Sequence, residues 1–281
     1  MLLIADGGST KTDWVLLSPR TKREYRTSGI NPYFMSRSEI GMLLTKTFDS
    51  KQRKQVKHIF FYGAGCAAEQ RKQVVYNALV ETFPEAEINI DTDLTGTARA
   101  LFGNKPGIAC ILGTGSNCGF YDGKEITFKY PSLGYVLGDE GSGVAMGKHL
   151  LRDFLYNEMP TDLAKPFNQF MDIGRDKIME QIYNNPFPNR FIASVIPFIK
   201  KHENHNYVIN MIDSNLAEFF KYHIIRYPDV KLKDIAFTGS IASLFSERLN
   251  QVARGYGLKI HSIINFPLEI LSNFHKEQVL L

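Results

Sequence analysis

Three short apolar runs in the chain each end in a loop of small residues. Leu2-Leu3-Ile4-Ala5 leads into Asp6-Gly7-Gly8-Ser9-Thr10-Lys11, Ile108-Ala109-Cys110-Ile111-Leu112 into Gly113-Thr114-Gly115-Ser116-Asn117, and Ile235-Ala236-Phe237 into Thr238-Gly239-Ser240-Ile241-Ala242. Small residues leave backbone N–H groups uncovered and let an anion lie against the chain, so such loops suit phosphate. In the first, Gly7 and Gly8 permit a tight turn, and Ser9 and Thr10 supply hydroxyl and N–H donors. Lys11 carries a charge that neutralises phosphate, and Asp6 offers a hard oxygen ligand for hydrated Mg2+. The segment is not a P-loop: the G-x-x-x-x-G-K-[ST] spacing is absent, and Thr12-Asp13-Trp14-Val15 reads on as strand. Asp-Gly-Gly is also the composition of a plain β-hairpin turn. Against that reading, Gly113, Thr114 and Gly115 sit at the matching point of a second half, after its first strand. Two such loops can clamp the β- and γ-phosphates of a nucleotide from opposite sides, and positioning with charge neutralisation is most of what phosphoryl transfer requires.

Carboxylates are the second group of candidates. Asp93 follows a strand-like run and precedes Leu94-Thr95-Gly96, where it can cap a helix or take the proton of an attacking hydroxyl. Asp139-Glu140, flanked by Gly138, Gly141 and Ser142, pairs two carboxylates on a loop that opens a helix. The 3 cysteines, Cys66, Cys110 and Cys118, form no CxxC pattern, and no suitably placed pair stands out. They read as the reduced thiols of a cytoplasmic protein, not as a disulfide framework or zinc site. His202 and His205 lie in a polar turn and read as solvated.

Positioning these groups requires strands that end at the loops. The periodicity predicts strands over 2–5, 13–18 and 23–27, a helix to residue 48 opened by a Ser36/Glu39 capping box, a strand over 58–62, a helix over 67–83, a strand over 86–90 and a helix over 94–102. The pattern then restarts with strands over 107–112, 118–121 and 125–130, the last two joined by an Asp122-Gly123 turn. Several proline-punctuated helices are expected over 142–222, then a strand over 234–237, a helix over 242–254, a strand over 258–263 and a terminal helix over 268–275. The order β-β-β-α-β-α-β-α thus occurs twice, a duplication of architecture without a sequence repeat. The boundary falls in Gly103-Asn104-Lys105-Pro106-Gly107, giving an α/β chain with domains over 1–104 plus 268–281 and over 105–267. With 281 residues, 44% of them hydrophobic, there is enough chain for two cores. The net charge of +4 is mild, and the basic run 51–57 reads as a solvated loop, so nucleic acid and membrane surfaces are not expected partners. The N-terminal apolar run is too short for a secretion signal, and no run approaches a membrane span.

Over residues 6–14, 113–119, Leu137-Gly138-Asp139-Glu140-Gly141-Ser142-Gly143 and 237–242, the chain resembles the actin/hexokinase/Hsp70-type ATPase superfamily. Within it, the nearest group contains N-acetylglucosamine kinases and the activator ATPases of benzoyl-CoA reductase and 2-hydroxyacyl-CoA dehydratases. The resemblance implies two ribonuclease-H-like domains with ATP and Mg2+ in the cleft, a helical insertion over 142–222, and a homodimer. It implies that Asp93, with Gly96 three residues on, is the general base; Asp91 does not fit that spacing. It further implies that Asn31, Ser116, Asn117 and Asp139 contact an amino sugar, that Gly239 and Ser240 lie against adenosine, and that Gly63-Ala64-Gly65-Cys66 lines the cleft. Pro267-Leu268-Glu269-Ile270 departs from the pattern, which has a glycine there. The implied activity is an amino-sugar kinase, with N-acetylglucosamine as first acceptor; an electron-transfer activator and a non-catalytic sugar sensor are the alternatives.

Overall fold

The first strand, β1 (Leu2–Gly7), is apolar almost throughout because it lies inside a sheet covered on both faces. It pairs antiparallel with β2 (Lys11–Leu17) and parallel with β4 (His58–Gly63). β3 (Lys22–Ser28) and β5 (Glu87–Thr92) complete a five-stranded sheet of order β3-β2-β1-β4-β5. Side chains of β1 and β2 alternate between two cores, as a period of two requires. Leu3, Ala5, Trp14 and Leu16 face a cluster with Phe48, Phe61 and Phe83, while Leu2, Ile4, Val15 and Leu17 face one with Tyr62, Ala100 and Leu271. This computed structural model describes residues 1–8 and 10–279.

Four helices within residues 37–102 flank that sheet. α1 (Arg37–Thr47) starts at Ser36 with the expected capping box to Glu39. The basic run read as loop is instead a short helix, α2 (Ser50–Gln55), whose own box joins Asp49 and Gln52. α3 (Glu69–Thr82) and α4 (Asp93–Phe102) follow β4 and β5.

The chain then forms β6 (Gly107–Leu112), β7 (Ser116–Tyr121) and the short β8 (Ile126–Phe128), with a 122–125 turn between the last two. The helical segment comprises α5 (Gly134–Leu137), α6 (Gly143–Leu155), α7 (Thr161–Met171), α8 (Arg175–Tyr183), α9 (Pro188–Ala193), α10 (Ile196–Lys201) and α11 (Asn206–Phe219). α11 loosens into a π-helical turn, Phe220–Ile224. Prolines mark the starts of α7, α9 and α10, whereas Pro166 lies within α7. β9 (Ile235–Thr238) and β10 (Ile260–Ile264) join the second sheet, of order β10-β9-β6-β7-β8. The helix expected over 242–254 is two, α12 (Ser240–Leu244) and α13 (Ser246–Gly255), and Lys200 donates to the Leu244 carbonyl at the end of the first at 3.0 Å. α14 (Pro267–Val279) ends the described chain.

Contacts divide the chain into two units: Met1–Ala109 with Phe120–Thr127 and Phe266–Leu281, and Cys110–Gly119 with Phe128–Asn265. Among the described residues no helix is long and apolar enough to cross a membrane.

Candidate active site

In the first unit the β1–β2 turn closes through Gly8 N–H donating to the Lys11 carbonyl at 2.9 Å. Gly7 is pressed against Phe61 and the Tyr62 carbonyl, each 3.1 Å from where a Cβ would stand, so the turn accepts no side chain without a shift. Ser9 lies outside the described residues. Lys11 begins β2 and pairs with Asp13 at 3.0 Å, and Asp13 also pairs with Arg26 at 2.5 Å. Burial pushes the Asp13 carboxyl up, but these cations outweigh it and hold it below its ordinary value. Among the described residues Asp6 has no such ion pair. Burial, with Asp93 and Asp13 nearby, raises its pKa from 3.8 to about 7, and Lys11 opposes this only in part.

Asp93 is the first residue of α4, and the cap is Thr92, whose hydroxyl accepts the Thr95 N–H at 3.1 Å. The capping role open to Asp93 on sequence therefore belongs to its neighbour. The Asp93 carboxylate accepts its own Leu94 N–H at 2.8 Å. Asp91 is engaged locally, accepting the Thr92 N–H at 2.7 Å and the Thr95 hydroxyl at 2.8 Å. Gly96 packs against Tyr62, whose Cγ would stand 2.6 Å from an added Cβ.

Asn31 is buried in the same unit. Thr12 holds its loop to β2 by accepting the Ile30 N–H at 3.0 Å, and the Asn31 carboxamide oxygen accepts the Tyr33 N–H at 3.0 Å. Gly65, at φ +82°, makes room for that carboxamide: an added Cβ would lie 2.6 Å from its oxygen. The Gly63-Ala64-Gly65-Cys66 loop is tied to the first phosphate-type loop by Ala64 N–H donating to the Gly7 carbonyl at 2.7 Å.

In the second unit the Gly113 N–H closes a tight turn onto the Gly115 carbonyl at 2.9 Å. The Gly113 and Thr114 carbonyls accept the Gly143 and Val144 N–H groups at 2.9 and 3.0 Å, so the first turn of α6 braces this loop. Ser142 caps α6, accepting the Ala145 N–H at 3.2 Å, which leaves Asp139 and Glu140 free of that duty. Asp139 adopts φ +58°, a left-handed conformation that costs a non-glycine residue about 1 kcal/mol. It turns its carboxylate to the Ser116 N–H at 3.3 Å and beside Gly115, where a Cβ would come within 2.8 Å of Oδ2. Burial raises the Asp139 carboxyl, opposed by the Ser116 N–H and Lys148. Glu140 pairs with His223 of the π-helical turn at 2.9 Å. Asn117 accepts the Cys118 N–H at 3.0 Å. Gly239, at φ +105°, lies against the backbone of Leu112 and Gly113, and Ser240 starts α12. The structure thus gathers Gly113–Gly115, Asp139 and Gly239 around one strand end, with Ser116 and Asn117 opening β7 beside them.

Sequence reasoning missed His223, which no motif marks, and the thiols of Cys110 and Cys118, which lie 3.5 Å apart and buried in this unit. Counting outwards equally from Thr114 sets 110 opposite 118, a signal the hairpin contains. His205 is not merely solvated: it caps α11 through Nδ1 and meets Asp162 at 3.1 Å through Nε2.

No family model matches the chain, and no curated protein matches it by sequence. Solved structures do. A candidate N-acetylglucosamine kinase from Porphyromonas gingivalis superposes with a TM-score of 0.93 at 36% identity, over 99% of each chain. A second candidate N-acetylglucosamine kinase, from Chromobacterium violaceum, gives 0.73 at 16% identity, over 97% of this chain and 98% of that one. A ROK family glucokinase from Streptomyces griseus, in complex with glucose and AMPPNP, gives 0.58 at 10% identity over 97% and 98%, a likeness of fold. With the two five-stranded sheets, these likenesses identify the fold as the two-domain, ribonuclease-H-like one of actin-type ATPases.

Proposed function

We propose that this chain, which belongs to the same family as the candidate N-acetylglucosamine kinase of Porphyromonas gingivalis, is an ATP-dependent sugar kinase. The observation that carries the reading is that likeness, 36% identity over 99% of each chain. The acceptor is an amino sugar, N-acetylglucosamine before glucosamine and N-acetylmuramic-type sugars. Asp93 takes the proton of the sugar hydroxyl, the hydroxyl oxygen bonds to the γ-phosphorus, and the bond from that phosphorus to the β-bridging oxygen breaks to release ADP. Asp93 suits the task because Thr92 meets the helix-capping requirement.

Gly7, Gly8, Thr10 and Lys11, with Gly113, Thr114 and Gly115, are assigned to the phosphates, and Gly239 and Ser240 to adenosine. Asn31, Ser116, Asn117 and Asp139 are assigned to the sugar. Asp139 supports its assignment best, since a carboxylate held in a strained backbone by one N–H retains lone pairs for hydroxyl donors.

Mg2+ fits Asp6. No group of three or more candidate ligands exists among the described residues, so no all-protein cage is present, and Mg2+ ordinarily takes one or two carboxylates, phosphate oxygens and water. A carboxyl raised to about 7 by burial and like charge is one whose ionised form Lys11 compensates only in part. When bound, Mg2+ would neutralise phosphate charge.

The test is ADP release from Mg-ATP by the purified protein across a panel of amino sugars. Turnover that depends on one sugar, with a phosphorylated product seen by mass spectrometry, supports the reading. ADP release indifferent to every sugar overturns it and moves attention to the activator reading, with iron analysis next.

A further inference from the structure

The first unit contains a cavity of about 610 Å³ lined by none of the residues assigned above. Its floor is Ile88, Asn89, Ile90 and Asp91, consecutive residues of β5, the sheet's edge strand. Among the described residues β5 pairs with β4 alone, in parallel. In a parallel pair, alternate residues turn both N–H and C=O away from the partner, so about half of this floor offers backbone donors and acceptors to whatever lies beside it. Such an edge is open to pairing unless something covers it.

The walls supply charge and flat apolar surface. Lys72 lines the cavity from α3, Arg99 from α4 and Lys124 from the β7–β8 turn, against the carboxylates Glu69 and Asp91. Asp91 already accepts from the Thr92 N–H and the Thr95 hydroxyl, with Arg99 at 3.8 Å, and Lys72, Arg99 and Lys124 outnumber the two carboxylates, so the lining as a whole is cationic. The Arg99 guanidinium is fixed: it donates to the Tyr62 hydroxyl at 2.6 Å. That hydroxyl also shares a 2.7 Å hydrogen bond with Nε2 of His275. The His275 ring in turn stacks on Phe60 at 3.7 Å. The volume lies in the range of small-molecule sites, and a few convergent polar groups among aromatic surfaces are their usual lining.

We propose that this cavity is a second ligand site, for a small organic phosphate that carries a ring. Its phosphate meets Lys72, Arg99 and Lys124, and its ring lies along the edge of β5 near Tyr76 and His275. The proposal stands whether or not the chain is a sugar kinase, because it concerns binding and not turnover.

The experiment is isothermal titration calorimetry of the full chain with phenyl phosphate, inorganic phosphate and benzyl alcohol, in saturating Mg-AMPPNP. Phenyl phosphate should bind saturably at one site, at least about tenfold more tightly than either part alone, since ring and anion contribute together. The double variant Lys72→Gln/Lys124→Gln should weaken it by about tenfold or more while leaving the melting temperature nearly unchanged, since Lys124 is exposed, Lys72 is only half-buried and Gln keeps most of each side chain's length. Arg99→Gln is the weaker test, because it also breaks the contact to Tyr62. Equal binding by wild type and double variant, or no saturable heat from phenyl phosphate, overturns the proposal.

Discussion

Thr92 and Asp93 divide two duties at the start of α4, and the division can be measured. The Thr92 hydroxyl caps the helix, so Thr92→Ala should lower stability by about 1 kcal/mol in urea denaturation. Asp93→Asn preserves shape and cap, so its melting temperature should stay near wild type while kcat for sugar-dependent ADP release falls by about 10²–10⁴, the usual worth of a general base. A stability loss in Asp93→Asn as large as in Thr92→Ala would mean that the carboxylate is structural. Asp6 makes the pH prediction. Its native carboxyl titrates at about 7 and its unfolded one near 3.8. Between those values the folded chain holds a proton that the unfolded chain has released, so this group's effect on stability worsens as pH rises through that window and is flat above it. Asp6→Asn escapes that cost. The variant should match wild type near pH 4 and exceed it at pH 8 in urea midpoint. Mg2+ should raise the wild-type midpoint at pH 8 and leave the variant's unchanged.

At the scale of elements, loops and helices fix one another through positions where no side chain fits. Gly239 combines φ +105° with a hypothetical Cβ only 2.3 Å from the Leu112 carbonyl oxygen, so Gly239→Ala must move β6 or β9. It should cost about 2–4 kcal/mol by chemical denaturation, well above an ordinary surface change. At Gly115 the nearest neighbours of an added Cβ are all atoms of the Asp139 carboxylate, the end of a side chain and not backbone, so Gly115→Ala should leave stability nearly intact and raise the KM for sugar by displacing that group. Elements with a local cause were legible in sequence: β1 by its apolar run, α1 by Ser36 and Glu39, and the 122–125 turn by Asp122-Gly123. α2 was not, because its Lys-Arg-Gln composition has no apolar stripe and Gln52 is its only buried residue; the Asp49/Gln52 box was the signal available. The break between α12 and α13 carries no glycine or proline to announce it, and the Lys200 side chain that meets the Leu244 carbonyl there comes from another helix. The site follows the same rule. Its glycines and acids announce themselves by type, while the Asp139 strain and the His223–Glu140 pair depend on packing that no spacing encodes.

The first unit is built from both ends of the chain. α14 packs on α4, β1 and β2, and Leu271, at 1% exposure, closes the cluster of Leu2, Ile4, Val15, Leu17, Tyr62 and Ala100. Until α14 is made, that face of the first sheet is covered by α4 alone, so the first unit cannot finish folding before residues 267–279 are in place. The opposite face needs no such help, because α1 and α3 belong to the same early stretch and Trp14 is buried there against Phe48 and Phe61. Two measurements separate the faces. Leu271→Ala removes a fully buried side chain and should destabilise this unit by about 2–4 kcal/mol. The chain's 1 tryptophan, Trp14, reports it as an earlier fluorescence transition in urea. A chain ending at Asn265 should bind a hydrophobic dye strongly and lose the cooperative Trp14 transition, although Trp14 packs on the opposite face of the sheet. If that truncated chain unfolded with the wild-type midpoint, the α1/α3 face alone would hold the sheet, and the C-terminal helix would be an accessory, not a part of the core.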